Sequence, residues 1–67
     1  MSSRAERMWP PREQRMVVFR ALVEAQARGA SVYRSRQAVA EQFGLSDSVL
    51  RRIEQEGVEH DWPPLSD

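Results

Sequence analysis

Two adjacent arginines, Arg51 and Arg52, have the residue type and spacing best suited to a chemical role. An arginine side chain ends in a planar fork of N–H donors that matches a phosphate or the acceptor edge of guanine. Further polar residues share the exposed face of the same predicted helix: Ser46, Asp47, Ser48 and Gln55. Serine hydroxyls suit phosphate, and glutamine suits a phosphate or an adenine edge. The group predicts contact with double-stranded DNA, and the alternative is a solvated arginine pair that forms salt bridges along its own helix.

Few residues of this sequence are suited to catalysis, metal binding or a phosphate-binding loop. The sequence has no Cys and a single His, His60, which excludes disulfides and His/Cys metal sites. His60 stands between two acidic residues and has no nucleophile partner, so it is interpreted as a solvated loop residue rather than a catalytic base. The three glycines are isolated and form no phosphate-binding loop. We therefore expect no enzymatic activity, no metal and no cofactor.

Charge is divided unevenly along the chain, although the formal net charge is zero. Residues 1–36 carry eight Arg against three Glu, a net charge of +5, whereas residues 37–67 carry two Arg against seven acids, a net charge of −5. In the basic part, Arg34 and Arg36 are expected to hold DNA phosphates. The acidic part supports an alternative function, a protein-interaction module that binds a transcription or regulatory protein through this half of the chain.

The first predicted helix runs from Arg12 to Arg28, after prolines that suit a helix start and before Gly29, which suits its end. Its apolar residues recur at three- and four-residue spacing, as an amphipathic helix requires. They are Met16, Phe19, Leu22, Val23 and Ala27. Residues 29–34 are expected to form a connector, in which Val32 and Tyr33 dock on the core.

Two further helices are expected to form a helix-turn-helix over residues 35–57. Ser35 is the expected N-cap of the first, which ends at Phe43. Ser46 is the expected N-cap of the second, which runs to about Glu56 and is ended by Gly57. A small residue is needed where such helices cross, and the turn needs positive φ. Ala40 and Gly44 supply these two properties, and apolar residues frame them: Val39, Phe43, Leu45, Leu50 and Ile53. The alternative is an ordinary helical hairpin with no DNA role.

The predicted fold is all-α: a three-helix bundle containing the helix-turn-helix, with an extended C-terminal tail and no wing strands. Residues 1–8 are expected to be a flexible arm, residues 9–57 the domain and residues 58–67 the tail. The sequence Trp-Pro-Pro occurs at 9–11 and again at 62–64. Trp9, Trp62 and Leu65 are candidate protein-interaction residues. The alternative, favoured for Trp62, is that the indole completes the core.

The segment from Ser35 to Gly57, and above all Val-Ala-Glu-Gln-Phe-Gly-Leu-Ser and Leu-Arg-Arg-Ile-Glu within it, resembles the promoter-reading helix-turn-helix at the C-terminal end of bacterial sigma factors. This resemblance covers about a third of the chain. It implies that Asp47, Ser48, Arg51 and Arg52 occupy the base-contacting positions. The sequence departs from the family pattern at Asp47, at Val49 and in its acidic C-terminal end. Val49 is expected to touch a thymine methyl group or to be covered by the tail.

Taken together, these features predict a small, sequence-specific, DNA-binding regulator of transcription in the bacterial cytoplasm. Double-stranded DNA is the expected partner, with RNA polymerase or another regulator as a second one. A palindromic DNA site would imply a homodimer, with the first helix or the tail as its interface. No apolar run approaches the roughly 20 residues that span a bilayer, so no membrane role is expected.

Overall fold

The computed structural model describes residues 9–65, which form three α-helices and no strand. The helices are α1 (Arg12–Ala27), α2 (Val32–Phe43) and α3 (Asp47–Glu59). Each packs against the other two. The expected all-α three-helix bundle without wing strands is therefore confirmed for residues 9–65. The expected N-terminal arm, residues 1–8, lies outside the described residues.

One hydrophobic core holds the three helices together. Its buried side chains are Val18, Phe19 and Leu22 of α1, Val39 of α2, Val49, Leu50 and Ile53 of α3, and Trp62 beyond α3. The predicted apolar stripe of α1 was wrong at two positions. Ala27 was included but is exposed, and Val18 was left out but is fully buried. Val49 is one of the core residues, which rules out the expected contact of this side chain with a thymine methyl group.

All three helices end in the same hydrogen-bonded turn. In each, a backbone N–H two or three residues beyond the end of the helix donates to a carbonyl five residues earlier, as in a Schellman motif. The bonds run from Ala30 to Ala25 (3.2 Å), from Leu45 to Ala40 (2.8 Å) and from Trp62 to Gly57 (3.0 Å). The motif needs one left-handed residue, and Gly29 (φ 100°), Gly44 (φ 67°) and Asp61 (φ 50°) provide it. The predicted helix ends at Gly29 and Gly44 are thus confirmed.

Helix α2 begins earlier than expected. Ser31, not Ser35, is the N-cap, and its hydroxyl accepts the backbone N–H of Arg34 at 3.1 Å. Ser35 is buried one turn inside the helix, where its hydroxyl donates to the Val32 carbonyl (2.9 Å) and accepts from Gln26 of α1 (3.3 Å). Val32 and Tyr33, the first two residues of α2, are exposed, so the expectation that they dock on the core was wrong.

Helix α3 extends past Gly57, which was expected to end it. Gly57 is buried inside the helix against the ring of Phe19 on α1. A Cβ atom at this position would overlap that ring. Glycine is present here because two helices approach closely, not because a helix stops.

The segment after α3 folds back on the bundle and is not extended. Residues 60–65 are a succession of turns, with a hydrogen bond from the Leu65 N–H to the Trp62 carbonyl at 2.8 Å. The left-handed conformation of Asp61 reverses the chain and delivers Trp62 to the core. There the indole meets Phe19 edge-on, with ring centroids 6.1 Å apart. The predicted extended tail was wrong, whereas the core-completing role of Trp62 is confirmed.

Candidate nucleic-acid interface

A short turn, residues 44–46, joins α2 to α3. Gly44 takes the left-handed conformation expected of it, and the half-buried Ala40 packs against the core. Ser46 caps α3 as expected, accepting the Val49 N–H at 3.3 Å. The turn and the shared core fix the direction of α3 relative to α2, and so decide which side chains of α3 remain exposed.

Helix α3 has one buried and one exposed face. The buried face carries Val49, Leu50, Ile53 and Gly57. The exposed face carries Asp47, Ser48, Arg51, Arg52 and Gln55, which are the side chains predicted from the sequence. Ser46 is half-buried at the helix start, and its hydroxyl oxygen lies 3.3 Å from the hydroxyl oxygen of Ser48. The structure thus brings six of the eight predicted DNA-binding residues onto one short stretch of α3.

Arg51 forms only a loose ion pair. Its Nη1 lies 3.8 Å from Oδ2 of Asp47, one helical turn earlier, and the two side chains are 63% and 69% exposed. Pairs of this kind contribute about 0.2–1 kcal/mol and exchange readily with other partners. Asp47 also lies in the first turn of α3, where a negative charge interacts favourably with the helix dipole.

Arg36 and Arg34, the two expected phosphate contacts on α2, have different surroundings. Arg36 is half-buried, and its Nε donates to Oε1 of Glu54 at 2.9 Å, which ties α2 to α3. Arg34 is exposed on the first turn of α2. Arg34 is therefore the freer of the two for an external phosphate.

Arg52 stacks on an aromatic ring from the other end of the chain. Its guanidinium carbon lies 4.7 Å from the ring centroid of Trp9, and the guanidinium carbon of Arg15 lies at the same distance. Both distances are within the range of cation–π attraction. Trp9 is half-buried and packs against the core. It therefore links the segment before α1 to the exposed face of α3.

Arg15, one of the two stacked residues, also forms a two-pronged ion pair. The Nε and Nη2 atoms of Arg15 donate to the two carboxylate oxygens of Glu56 at 2.8 and 3.0 Å, with side chains 13% and 25% exposed. The hydrogen bonds from Arg15 lower the pKa of Glu56 from its usual value, and they outweigh the opposing effect of burial. Arg15 also donates to the Pro10 carbonyl at 2.8 Å, which fixes the backbone next to Trp9.

The remaining polar residue, Gln55, donates to Glu59 at 3.3 Å on the exposed surface of α3. A shallow groove lies between α2 and α3 and is lined by Arg36, Gln37, Ala40, Asp47, Arg51 and Tyr33. Tyr33 is 73% exposed at the mouth of this groove. It was missed as a site residue because an aromatic residue in a presumed connector was interpreted as a core contact.

The three candidate protein-interaction residues have separate positions. Trp62 is buried, so its predicted role as an exposed contact was wrong. Leu65 is half-exposed and Trp9 is half-buried under two guanidinium groups. The two Trp-Pro-Pro segments thus have different roles: Trp62 of the second lies in the core, and Trp9 of the first lies beside α3.

Residues 9–65 contain no group of three metal-ligating side chains that could hold an ion. None of the helices described combines the length and apolar character needed to cross a bilayer. Comparison of the chain with models of protein families, with curated proteins and with solved structures finds no match. Function is therefore inferred from the residues of this chain and their geometry.

Proposed function

We propose that the protein binds double-stranded DNA with the N-terminal half of α3 in the major groove. The observation that carries the proposal is the exposed face of α3, where Arg51 and Arg52 follow a short turn and project away from the core. A helix-turn-helix reads bases with the early residues of its second helix. The guanidinium groups of Arg51 and Arg52 are suited to guanine edges, and the Ser48 hydroxyl is suited to a phosphate.

The start of α2 supplies the backbone contacts in this proposal. In helix-turn-helix complexes the first helix crosses the DNA backbone. Arg34 and Tyr33 are exposed on the first turn of α2. Tyr33 lines the groove that contains Arg51, whereas Arg34 lines a separate hollow between α1 and α2. Arg36 contributes less, because Glu54 already compensates its charge. With few uncompensated cations, a single copy binds weakly, and its affinity depends only modestly on salt because few phosphates are neutralised.

The biological role that follows is sequence-specific regulation of transcription, in line with the resemblance to bacterial sigma factors. A dimer on a palindromic site would raise the affinity of a reader with such a small contact surface. RNA polymerase or another regulator is the protein partner that this role implies.

A second candidate function is a protein-interaction module, and one observation favours it. Arg51, Arg52 and Gln55 each have a partner within the chain, and the apolar side chain of Val58 is exposed near the end of α3. Burial of Trp62 counts against this candidate, because it removes the largest apolar group that the C-terminal segment offered a partner. DNA binding is therefore the proposal tested first.

The test begins with selection from a pool of random duplexes about two helical turns long. The enriched duplex is then titrated, at about 50 mM salt, with the wild type and with Arg51→Ala/Arg52→Ala. Since each lost bidentate contact costs about 1–3 kcal/mol, the double variant should bind at least tenfold more weakly. A matched control, Arg12→Ala/Arg20→Ala, removes the same charge from exposed positions of α1 and should bind nearly as well as wild type.

Two results would contradict DNA recognition by α3. One is the absence of any wild-type binding below about 100 µM, the weak end of non-specific affinities. The other is equal binding by the two double variants, which would show that only total charge matters.

A further inference from the structure

The stack of Trp9 and Arg52 gives the segment before α1 a place in the reading surface. The two residues are far apart in sequence, and the ring centroid of Trp9 lies 4.7 Å from the guanidinium carbon of Arg52. Arg52 is exposed on the same face of α3 as Ser48, one turn earlier. The indole therefore borders the surface that the proposed function assigns to DNA.

The position of Trp9 is fixed from below. Arg15 holds the Pro10 carbonyl with one nitrogen and the Glu56 carboxylate with two others. Pro10 is buried and Trp9 packs against the core. These contacts connect the segment before α1, α1 itself and α3. The indole is consequently held in a fixed position beside Arg52.

Charge compensation distinguishes the two cations that face this ring. Glu56 neutralises Arg15, so Arg15 does not repel Arg52 as an isolated cation would. No carboxylate among residues 9–65 lies within ion-pair distance of Arg52. Arg52 thus keeps its full charge for an external anion, whereas the nearest charge to Arg51 is the Asp47 carboxylate.

Stacking also leaves the hydrogen-bonding capacity of Arg52 intact. A cation–π contact uses the flat face of the guanidinium, and the N–H donors point outward in the plane of the group. The Asp47 carboxylate, in contrast, lies 3.8 Å from Nη1 of Arg51, close enough to attract this guanidinium but too far for a hydrogen bond that would order it. A long side chain that is ordered before binding loses less conformational entropy when it binds.

We propose that Trp9 is a positioning residue for Arg52, and that it orders the Arg52 guanidinium for bidentate contact with a guanine in the major groove. The inference rests on the proposed function. Of the two arginines, Arg52 is then ordered before it contacts a base, whereas Arg51 becomes ordered only on binding. Base preference should therefore be stricter at the DNA position that Arg52 contacts.

A double-mutant cycle in DNA affinity tests this role. Trp9→Leu, Arg52→Ala and the double variant are titrated with the selected duplex and with duplexes changed at each base pair. We expect Trp9→Leu to weaken binding about three- to tenfold in the wild-type background, the cost of ordering one long side chain on binding. In the Arg52→Ala background it should have less than a twofold effect. Trp9→Leu and Arg52→Ala should relax the base preference at the same position.

A merely structural role for Trp9 gives a different pattern. It would lower affinity by the same factor in both backgrounds, and Arg51→Ala would be coupled to Trp9→Leu as strongly as Arg52→Ala is. Trp9→Phe provides the conservative variant, because a smaller ring still stacks, and it should recover most of the lost affinity. Circular dichroism and thermal melting of each variant verify that the helices remain folded.

The outcomes distinguish failure of the positioning role of Trp9 from failure of DNA binding by α3. Wild-type binding without coupling between Trp9 and Arg52 would overturn the positioning role and leave DNA binding by α3 intact. Tighter binding by Trp9→Leu would also overturn it, since that would show that the ring withholds Arg52 from DNA. If the wild type selects and binds no duplex, the proposed function fails, and the positioning role fails with it.

Discussion

Replacing Gly57 by alanine should destabilise the bundle, although alanine is the better helix former. Gly57 lies inside α3, and a Cβ atom there would overlap the ring of Phe19. Phe19 is fully buried between α1 and the rest of the core, so its ring has no space into which it can turn. The close approach of α1 and α3 at this point depends on the missing side chain.

The magnitude follows from two opposing effects. Alanine gains about 0.8–1.0 kcal/mol over glycine in a helix interior. Overpacking of a well-packed core costs about 1–3 kcal/mol, and a contact with three ring atoms belongs at the upper end of that range. The net loss should be about 2 kcal/mol. For a domain of this size, that lowers Tm by roughly 10 °C.

Urea unfolding followed by circular dichroism measures this loss, and a second substitution identifies its cause. Phe19→Leu alone should destabilise the protein by leaving a cavity. Combined with Gly57→Ala it should cost much less, because the smaller side chain makes room for the new methyl group. A Gly57→Ala variant as stable as the wild type, or additive effects of the two substitutions, would refute the close helix contact.

Three further predictions concern other parts of the chain. Trp62→Ala should cost about 3–5 kcal/mol and leave the protein largely unfolded by circular dichroism, because the indole fills the core. Trp62→Phe should cost far less, since the indole N–H has no hydrogen-bond partner among residues 9–65, and equal losses would contradict this packing. The lowered pKa of Glu56 means that its stabilising contribution is complete above the unfolded value of 4.5 and is lost as pH falls through the folded pKa. Glu56→Gln should therefore be less stable than wild type at neutral pH, by about 1–3 kcal/mol, and the two melting curves should converge in acid; a constant difference would speak against the ion pair. Arg34→Ala should make the dependence of log K on log salt shallower by about 1 in a DNA titration, and an unchanged slope would exclude its phosphate contact.

Local sequence signals predicted the turn between α2 and α3 well. Gly44 and Ser46 act through neighbours within five residues, so their roles can be recognised without knowledge of the rest of the fold. The spacing of apolar residues between α2 and α3 likewise predicted the shared core. The exposed face of α3, with its arginine pair, followed directly from that core.

The start of α2 was harder to predict because Ser31 and Ser35 both suit an N-cap. The Schellman turn at Gly29 decides between them, since it reverses the chain within a few residues and lets α2 begin at once. A polar serine can then be buried, because Gln26 and the Val32 carbonyl satisfy its hydroxyl. These partners belong to two different helices and have no signature in the sequence.

Long-range packing accounts for the other errors. Gly57 carries the same local signal as a helix end, and only the ring of Phe19 across the interface gives it another meaning. The position of Trp9 over Arg52 likewise joins residues from opposite ends of the chain. The sequence shows the types of these residues but not their proximity.

The central claim, that the N-terminal half of α3 and the start of α2 face DNA, is tested most directly by NMR. Amide resonances of uniformly labelled protein are followed as the selected duplex is added at low salt. If these segments face DNA, the largest shifts fall on residues 46–55 and 31–37, with little change along the exposed side of α1. Shifts confined to residues 58–65, or spread evenly over the molecule, would contradict it.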